Sequence, residues 1–387
     1  MAVKNYFIEI QDYQNNNKLQ EVIIKISLCE ITANLYGNKL NFTRPIEIDE
    51  NEECTILLCK NICKKDCHQT CYQSYTIKTL KPIERKLMFI CLDGVRSDAF
   101  AMSKIDFFKN LIEQEKCLYS FYLQSIKHTW SSFSWASILT GEKSSHKITS
   151  NKKLEEDNFT LDNTFTDKIN KPTSLFVSEW KGFYNIFKKK EYINTKKLLN
   201  KKNFYKSDKK TINEAIRNLD KDDVEDINLV YLLSVDEVGH AEGFSPCNIN
   251  YKKMIGRMSR GIENIYNKIQ NRIEEKNEEW LFVIVSDHGG SSEKFMPFKM
   301  IKDLYKIRET YGDNYGKARR QKNVKGYHGL NIQTHLNTIC FLSQISKFKM
   351  QTTGEILEPK SLDIYPTILN FFNIPCEGRN LLIREGM

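Results

Sequence analysis

Three apolar runs in this chain lead directly into an aspartate. The runs are MFICLD, LVYLLSVD and LFVIVSD, and they end at Asp93, Asp236 and Asp287. A continuous apolar run of this length is typical of a parallel β-strand that is buried on both faces. In open α/β sheets the functional groups lie where the carboxyl ends of such strands meet. The sequence therefore predicts an α/β fold, a doubly wound and mostly parallel sheet with helices on both faces, in which three carboxylates converge on one crevice.

Histidines stand close to these aspartates or in a short motif of their own. His240 follows Asp236 by four residues, His288 follows Asp287 directly, and His328 lies in GYHG. Imidazole nitrogens and carboxylate oxygens are the ligands that zinc takes in catalytic sites, which leave one coordination position open. The three aspartates and three histidines therefore predict a two-metal enzyme, since two metals can act on both oxygens of an in-line displacement.

The order of these motifs resembles the alkaline phosphatase superfamily, and within it the nucleotide pyrophosphatase/phosphodiesterase (type I phosphodiesterase) family. The resemblance covers roughly residues 85–387. It rests on Asp93-Gly94 after a strand, the DEVGH motif, SDHG, the late His-Gly pair and the closing segment SLDIYPTILNFFNIP. In that family the nucleophile lies nine residues before the Thr of a Leu-Thr-Gly motif, and counting back from Thr140 leads to Ser131. A phosphate-contacting Asn follows a Ser-His pair by five residues, which points to Asn151.

The resemblance implies two divalent metal ions, most simply Zn²⁺, and a phosphoseryl intermediate on Ser131. One metal would be held by Asp236, His240 and His328, and the other by Asp93, Asp287 and His288, with Ser131 also bound to the second metal. The implied substrate is a small phosphate-containing molecule, nucleotide-like in kind, and the implied reaction is hydrolysis of a phosphodiester or phosphoanhydride. Trp180 and Tyr184 are predicted as substrate-binding residues because their rings suit a nucleobase, although a place in the hydrophobic core explains aromatic side chains here more simply.

Departures from the family pattern leave alternatives open. Phe133 stands where the family has Pro, Ser132 directly follows the predicted nucleophile, and Lys147 replaces a Gly after His146. A phosphomonoesterase or a sulfatase on the same scaffold are alternatives. The sulfatase motif C/S-x-P-x-R would place Pro and Arg where this chain has Phe133 and Trp135. An inactive relative that acts as a binding protein is a further alternative.

Two domains are expected, with a boundary near residue 84. Residues 1–84 alternate apolar and polar side chains, which predicts a small β-rich, cysteine-containing N-terminal module. Residues 85–387 form the predicted catalytic domain, with basic insertions near 187–225 and 291–326 and helical spacing in DFFKNLIEQEK and from Tyr251 to Glu275. The N-terminal module is a possible binding site for a protein or a glycan.

Charge and cysteine content bear on partners and compartment. The net charge of +9 suits an anionic substrate, although a solvated lysine-rich surface explains it more simply, and nucleic acid is not favoured. Five cysteines at 54, 59, 63, 67 and 71 favour disulfides over a structural metal site, and hence an extracytoplasmic or lumenal setting. The first residues show no apolar signal segment, which favours the cytoplasm instead, and no stretch is long enough for a transmembrane helix. Localisation therefore stays open.

Overall fold

The fold was obtained as a computed structural model. It describes residues 83–143, 148, 150–194, 203–292, 325–347 and 352–383 in full, together with the backbone of residues 195–198 and of the strands before residue 83. The chain divides into two compact units. One contains Met1–Glu84, Ile273–Glu279 and Ser346–Met350, and the other contains Arg85–Arg272, Trp280–Ile345 and Gln351–Met387.

The first unit contains a six-stranded sheet in the order β2-β3-β4-β1-β6-β5, in which every described pair is antiparallel. Its strands are β1 (Tyr6–Ile10), β2 (Gln20–Ile26), β3 (Cys29–Tyr36), β4 (Lys39–Phe42), β5 (Thr55–Cys59) and β6 (Tyr72–Pro82). The predicted β-rich character of the N-terminal part is thus present. The cysteines at 54, 63, 67 and 71 lie outside the described residues.

The second unit is built on an eight-stranded sheet in the order β10-β9-β11-β7-β12-β15-β8-β16. Its strands are β7 (Glu84–Leu92), β8 (Leu118–Gln124), β9 (Thr173–Ser178), β10 (Ile193–Leu198), β11 (Ile227–Leu232), β12 (Glu278–Ser286), β15 (Asn337–Ile345) and β16 (Gly354–Glu355). Strand β15 runs antiparallel to β12 and β8, whereas β10, β9, β11 and β7 pair in parallel. Strands β13 (Ser291–Ser292) and β14 (Gly326–Tyr327) pair in a separate, short antiparallel sheet.

Helices connect the strands. They are α1 (Ser97–Ala101), α2 (Asp106–Glu113), α3 (Ser131–Thr140), α4 (Asn151–Leu154), α5 (Phe165–Ile169), α6 (Lys181–Phe187), α7 (Phe204–Asn218), α8 (Ser234–Glu242), α9 (Ile249–Glu275), α10 (Gln333–Leu336) and α11 (Ile364–Phe371), with a 3₁₀ turn at Ser361–Asp363. Within the described ranges, none of these helices is both long and apolar enough to span a membrane.

The central strands are covered on both faces. Successive side chains of a strand point to opposite faces. On β12, Leu281, Val283 and Val285 belong to the same buried cluster as residues of α3, α5 and α11, whereas Phe282 packs against Tyr266 of α9, with ring centroids 5.3 Å apart. Every residue of β11 and β12 is buried, as the continuous apolar runs require. The predicted doubly wound, mostly parallel sheet with helices on both faces is therefore confirmed.

One of the three aspartates does not end its strand as expected. β11 ends at Leu232, and Asp236 lies in the first turn of α8. The chain turns into a helix here because the buried carboxylate of Asp208 accepts hydrogen bonds from the backbone N–H groups of Leu233 (3.1 Å) and Ser234 (2.9 Å). These bonds satisfy N–H groups at the start of α8, as an N-capping side chain does.

The two predicted basic insertions are described in part. Within the range 187–225, Phe204–Asn218 is helix α7, which packs against β9 and β11 with a buried face that includes Asp208. Its lysines Lys206, Lys209 and Lys210 are exposed. Most of the range 291–326 lies outside the described residues.

Candidate active site

Four segments of the chain bring the predicted site residues to one place. Asp93 directly follows β7, and Asp287 and His288 directly follow the neighbouring strand β12. Asp236 and His240 lie four residues apart on α8, which places them on the same side of the helix. His328 follows β14.

Asp93, Asp287 and His288 form the first cluster. The Nε2 atom of His288 lies 3.4 Å from Asp93 Oδ1 and 3.3 Å from Asp287 Oδ2. All three side chains are buried. Their ligand atoms lie close enough together for one metal ion to contact all three.

Asp236, His240 and His328 form the second cluster. The Nε2 atom of His240 lies 3.2 Å from Asp236 Oδ2 and 3.1 Å from His328 Nε2, and His328 Nε2 lies 3.9 Å from Asp236 Oδ1. The two clusters are adjacent, because the rings of His288 and His328 stack with centroids 3.7 Å apart. The spacing also permits His288 to join Asp236 and His328 around one ion. Two groups of ligand atoms are thus each close enough together to hold a metal ion, namely Asp93 with Asp287 and His288, and Asp236 with His288 and His328.

Each of the three histidines has its Nδ1 atom near a backbone carbonyl. His240 Nδ1 lies 3.2 Å from Gly326 O, His288 Nδ1 lies 2.9 Å from Gly289 O, and His328 Nδ1 lies 2.7 Å from Thr129 O. A carbonyl oxygen only accepts, so Nδ1 must carry the proton that is donated. This fixes the tautomer and leaves Nε2 of each ring turned toward the cluster, as is usual for metal-binding histidines.

A backbone group also orients one of the carboxylates, because Asp287 Oδ1 accepts a hydrogen bond from Gly94 N (3.1 Å). Within the described part of the chain, Asp287 Oδ2 and Asp236 Oδ1 are buried and have no hydrogen-bond partner. Unpartnered buried carboxylate oxygens are costly unless a cation or a donor satisfies them. The donor set therefore fits divalent metal ions.

Close packing in this region also depends on a glycine. Gly94 has φ +70°, and a Cβ atom there would lie 2.6 Å from Asp236 Oδ1. Only glycine permits this backbone conformation at low cost and this approach of the loop after β7 to the first turn of α8.

The charges of the site are strongly perturbed. Burial, followed by the nearby charge of Asp236, raises the pKa of Asp93 from 3.8 to about 8. Burial and then the charge of Asp93 also raise the pKa of Asp287 well above its ordinary value. Burial lowers the pKa of His288 to about 4, so this ring is neutral at pH 7. For His240, burial lowers the pKa, but the Asp236 carboxylate more than offsets it and the pKa rises to about 9. Asp93 and His240 thus each hold a proton at pH 7 that binding of a metal ion would displace.

Ser131 is the first residue of helix α3 and lies beside the first cluster. Its Oγ lies 3.1 Å from His288 Nε2. The Ser131 hydroxyl donates to Asp93 Oδ1 at 3.5 Å. The N-terminus of a helix favours anions. The neighbouring Ser132 differs, since its hydroxyl is buried without a hydrogen-bond partner among the described residues, while its backbone N–H donates to Asn151 Oδ1 at 2.9 Å. The geometry therefore brings Ser131, Asn151 and the start of α3 together.

The predicted substrate-binding rings lie on a neighbouring element. Trp180 precedes α6, and its ring centroid is 5.7 Å from that of Tyr231, whose hydroxyl donates to Asp93 Oδ2. Both Trp180 and Tyr184 are half-buried and pack against the core. Trp180 is thus separated from Asp93 by a single ring.

Sequence reasoning missed several residues that hold the site together. The hydroxyl of buried Thr129 accepts from Gly329 N (3.0 Å) and donates to Leu330 O (3.2 Å), while the Thr129 carbonyl accepts from His328. Thr129 therefore joins the segment before Ser131 to the loop of His328. Asp208 acts likewise on the start of α8. Neither residue lies in a recognisable motif, and a Thr in HTWSS or an Asp among lysines gives no signal on its own.

Fold and site together define an α/β protein of the alkaline phosphatase type. The sequence profile of the type I phosphodiesterase / nucleotide pyrophosphatase family matches residues 87–302. Since the match spans more than half of the 387 residues, the chain belongs to this family. No curated protein matches the chain.

Solved structures share the fold at low sequence identity. An inactive variant of murine ectonucleotide pyrophosphatase/phosphodiesterase 5 in complex with AMP has a TM-score of 0.55 and 12% identity, covering 77% of this chain and 97% of that chain. Another structure of the murine protein (TM-score 0.54, 12% identity) covers 76% of this chain and 97% of that one. The human protein (TM-score 0.54, 12% identity) covers 76% and 96%.

Proposed function

We propose that this protein is a two-metal phosphodiesterase or nucleotide pyrophosphatase that acts through a phosphoseryl intermediate on Ser131. The observation that carries the proposal is the position of Ser131 Oγ, 3.1 Å from His288 Nε2 and 3.5 Å from Asp93 Oδ1, at the N-terminus of α3. A nucleophile, a metal-type cluster and a helix N-terminus meet there. Family membership supports the same class of reaction.

The metals are proposed to be Zn²⁺. One would be held by Asp93, Asp287 and His288, and the other by Asp236, His240 and His328. Three imidazole nitrogens and three carboxylate oxygens suit zinc better than magnesium or calcium, which prefer oxygen ligands alone. When bound, the two ions would supply Lewis-acid stabilisation of the negative charge that develops on the phosphoryl oxygens and on the leaving oxygen.

The residues of the chain then carry out two displacements. Ser131 Oγ attacks phosphorus while its proton passes to water, and the bond from phosphorus to the leaving oxygen breaks on the opposite side, the leaving oxygen taking a proton from water. Water next attacks the phosphoserine and gives up a proton, the bond between phosphorus and Ser131 Oγ breaks, and Ser131 Oγ takes up a proton. Asn151 would contact a non-bridging oxygen through its side-chain N–H groups, since its Oδ1 already accepts from Ser132 N.

A phosphodiester is favoured over a phosphomonoester because Arg96 already has other partners. A monoester carries an additional negative charge that a further cation would have to meet, and Arg96 is the arginine nearest to Asp93 in the sequence. Its guanidinium instead forms an ion pair with Asp98 at 2.7 Å and donates to the carbonyls of Phe244 (3.4 Å) and Gly290 (3.3 Å). Arg96 is therefore already engaged in holding loops together.

A nucleotide-like leaving group is proposed from the aromatic side chains next to the site. Trp180 is partly exposed and lies one ring away from Asp93, so a base could stack on it. A related structure was solved with AMP bound, which supports this class of substrate. Tyr184, also partly exposed on α6, is the second proposed contact.

The experiment compares hydrolysis of bis-p-nitrophenyl phosphate, thymidine p-nitrophenyl phosphate and p-nitrophenyl phosphate by the full chain, with added Zn²⁺ and with a chelator. We expect turnover of the two diesters that the chelator abolishes. Ser131→Ala should lose this turnover by at least about 10³-fold while still binding Zn²⁺.

Ser132→Ala is the matched control, because it removes the adjacent buried hydroxyl, which has no hydrogen-bond partner in the described structure. It should retain activity. Loss in Ser132→Ala with retention in Ser131→Ala would move the nucleophile by one residue. Faster turnover of the monoester would favour a phosphatase, and a Zn²⁺-loaded chain that hydrolyses none of the three would favour the binding-protein alternative.

A further inference from the structure

The metal-facing aspartate Asp93 is held by two aromatic side chains. Its Oδ2 atom accepts a hydrogen bond from Trp135 Nε1 at 3.0 Å and another from the Tyr231 hydroxyl. Asp93, Trp135 and Tyr231 each have a relative exposure of 0%. Two donors on one buried oxygen satisfy its hydrogen-bonding capacity and restrict rotation of the carboxylate.

This arrangement leaves the other oxygen for the site. Asp93 Oδ1 lies 3.4 Å from His288 Nε2 and 3.5 Å from Ser131 Oγ. The two oxygens thus have different surroundings, one turned to the aromatic donors and the other to the clustered ligands. Oδ1 is thus the oxygen of Asp93 that lies next to His288 Nε2, in the group of ligand atoms that Asp93 forms with Asp287 and His288.

The two donors are themselves fixed by packing. The Tyr231 ring stacks on Phe183 with centroids 4.6 Å apart at 23°. The Trp135 ring meets Phe183 and Tyr231 edge to face, with centroid distances of 5.7 and 5.9 Å. Side chains locked by packing can hold a ligand more firmly than mobile donors.

Trp135 also connects Asp93 to the nucleophile. Ser131 and Trp135 are four residues apart on α3, so they lie on the same side of that helix. The hydrogen bond from Trp135 to Asp93 therefore ties the helix that carries Ser131 to the residue that ends β7.

We propose that Tyr231 and Trp135 are positioning residues that hold Asp93 so that only its Oδ1 atom is free to bind a divalent metal. The inference rests on the proposed two-metal function and adds to it the residues that orient one ligand. Outer-shell partners of this kind commonly change metal affinity by about 10–100-fold when they are removed.

The test measures Zn²⁺ binding to the full chain by competition with a chromophoric chelator, after the purified protein has been stripped of metal. The main variant is Tyr231→Phe, which removes one hydroxyl and keeps the ring that packs on Phe183. Trp135→Phe, which removes the other donor, is the second variant. Tyr266→Phe is the control, because Tyr266 is buried on α9 against Phe107 and Phe282, away from the metal ligands.

We expect wild type and Tyr266→Phe to bind two equivalents of Zn²⁺. In Tyr231→Phe one equivalent should weaken about 10–100-fold while the other keeps its wild-type affinity, because Asp236, His240 and His328 are unchanged. Trp135→Phe should weaken the same equivalent and also lower the turnover number for bis-p-nitrophenyl phosphate, since Ser131 lies on its helix. If Tyr231 and Trp135 had only a structural role, their substitution would lower the stability of the protein and would not weaken one Zn²⁺ equivalent more than the other.

Three results would overturn the inference. If wild type binds two equivalents and Tyr231→Phe binds both as tightly, Tyr231 does not position Asp93. Equal weakening of both equivalents would mean that the substitution acts on the whole site rather than on Asp93. If the wild-type chain binds no Zn²⁺, the proposed two-metal function fails and the inference fails with it.

Discussion

Replacing Asp93 by asparagine is expected to stabilise the metal-free protein, although the same change removes a proposed metal ligand. Asp93 is fully buried, and burial followed by the charge of Asp236 raises its pKa from 3.8 to about 8. At neutral pH the folded chain must therefore hold a proton on Asp93 that the unfolded chain releases. An asparagine avoids this cost, and its side-chain oxygen can accept the hydrogen bonds of Trp135 and Tyr231 in place of Oδ2.

The magnitude follows from the pKa difference. Between about pH 4 and pH 8 the folded wild type binds one more proton at Asp93 than the unfolded chain, so its free energy of unfolding falls by about 1.4 kcal/mol per pH unit. Below about pH 4 both states are protonated and the cost vanishes, and above about pH 8 both are ionised and the cost is constant. At pH 7 the accumulated cost is about 4 kcal/mol, which is the expected advantage of Asp93→Asn.

The assay is urea unfolding of both proteins in chelator between pH 5 and pH 8. The advantage of Asp93→Asn should grow with pH across this range. Asp162→Asn, which changes an exposed carboxylate, should stay within about 0.5 kcal/mol of wild type. With Zn²⁺ at 100 times its Kd the advantage should shrink, because each bound ion stabilises the protein by about 2.7 kcal/mol and Asp93→Asn lacks one proposed ligand of the first cluster. If metal-free Asp93→Asn is no more stable than wild type at pH 7, burial and the charge of Asp236 do not raise the pKa of Asp93 in the folded protein.

Three further substitutions test how the site is built. Gly94→Ala places a Cβ atom 2.6 Å from Asp236 Oδ1 on a backbone with φ +70°. It should lower the free energy of unfolding by about 1–3 kcal/mol, and with it the thermal midpoint, and it should weaken Zn²⁺ binding. Asp208→Ala removes the acceptor of the Leu233 and Ser234 N–H groups and should reduce the free energy of unfolding in urea by about 1–3 kcal/mol. Thr129→Val leaves Gly329 N without its acceptor. It should reduce the free energy of unfolding by about 1–3 kcal/mol and raise the Kd for Zn²⁺.

Each of these has an outcome that would count against it. Unchanged Zn²⁺ affinity in Gly94→Ala would mean that the loop of Asp93 can move away from the first turn of α8 without disturbing the metal ligands. For Asp208, the comparison is Asp208→Asn, which keeps one acceptor oxygen and should lose less stability than Asp208→Ala; equal losses would argue against the hydrogen bonds. Thr160→Val at an exposed position is the control for Thr129→Val, and equal Zn²⁺ affinities in these two variants would dismiss the proposed link to His328.

The strands and the two aspartates that follow them could be predicted from the sequence. Continuous apolar runs specify strands buried on both faces, and the residue after such a strand must emerge at the edge of the sheet. That reasoning holds for Asp93 and Asp287, which follow β7 and β12 directly. For Asp236 it was wrong, because the apolar run continues through LLSV into a helix, and what starts the helix is a carboxylate from α7, 26 residues before Ser234.

The residues that orient the site could not be predicted, because their role depends on tertiary contacts. Tyr231 lies in an apolar strand and Trp135 in an apolar helix, and both are indistinguishable in sequence from ordinary core aromatics. Only the fold shows that the polar tip of each ring points to the same oxygen of Asp93. Ser131 was predicted by its spacing to Thr140, and the Ser145-His146 pair that led to Asn151 lies outside the described residues.

The most direct test of the central claim is a crystal structure of the Zn²⁺-loaded protein with anomalous diffraction at the zinc absorption edge. The proposed function predicts two anomalous peaks. One should lie between Asp93, Asp287 and His288 near Ser131 Oγ, and the other between Asp236, His240 and His328. A map with no peak at these side chains, or with zinc bound only elsewhere on the protein, would contradict the two-metal site and the mechanism built on it.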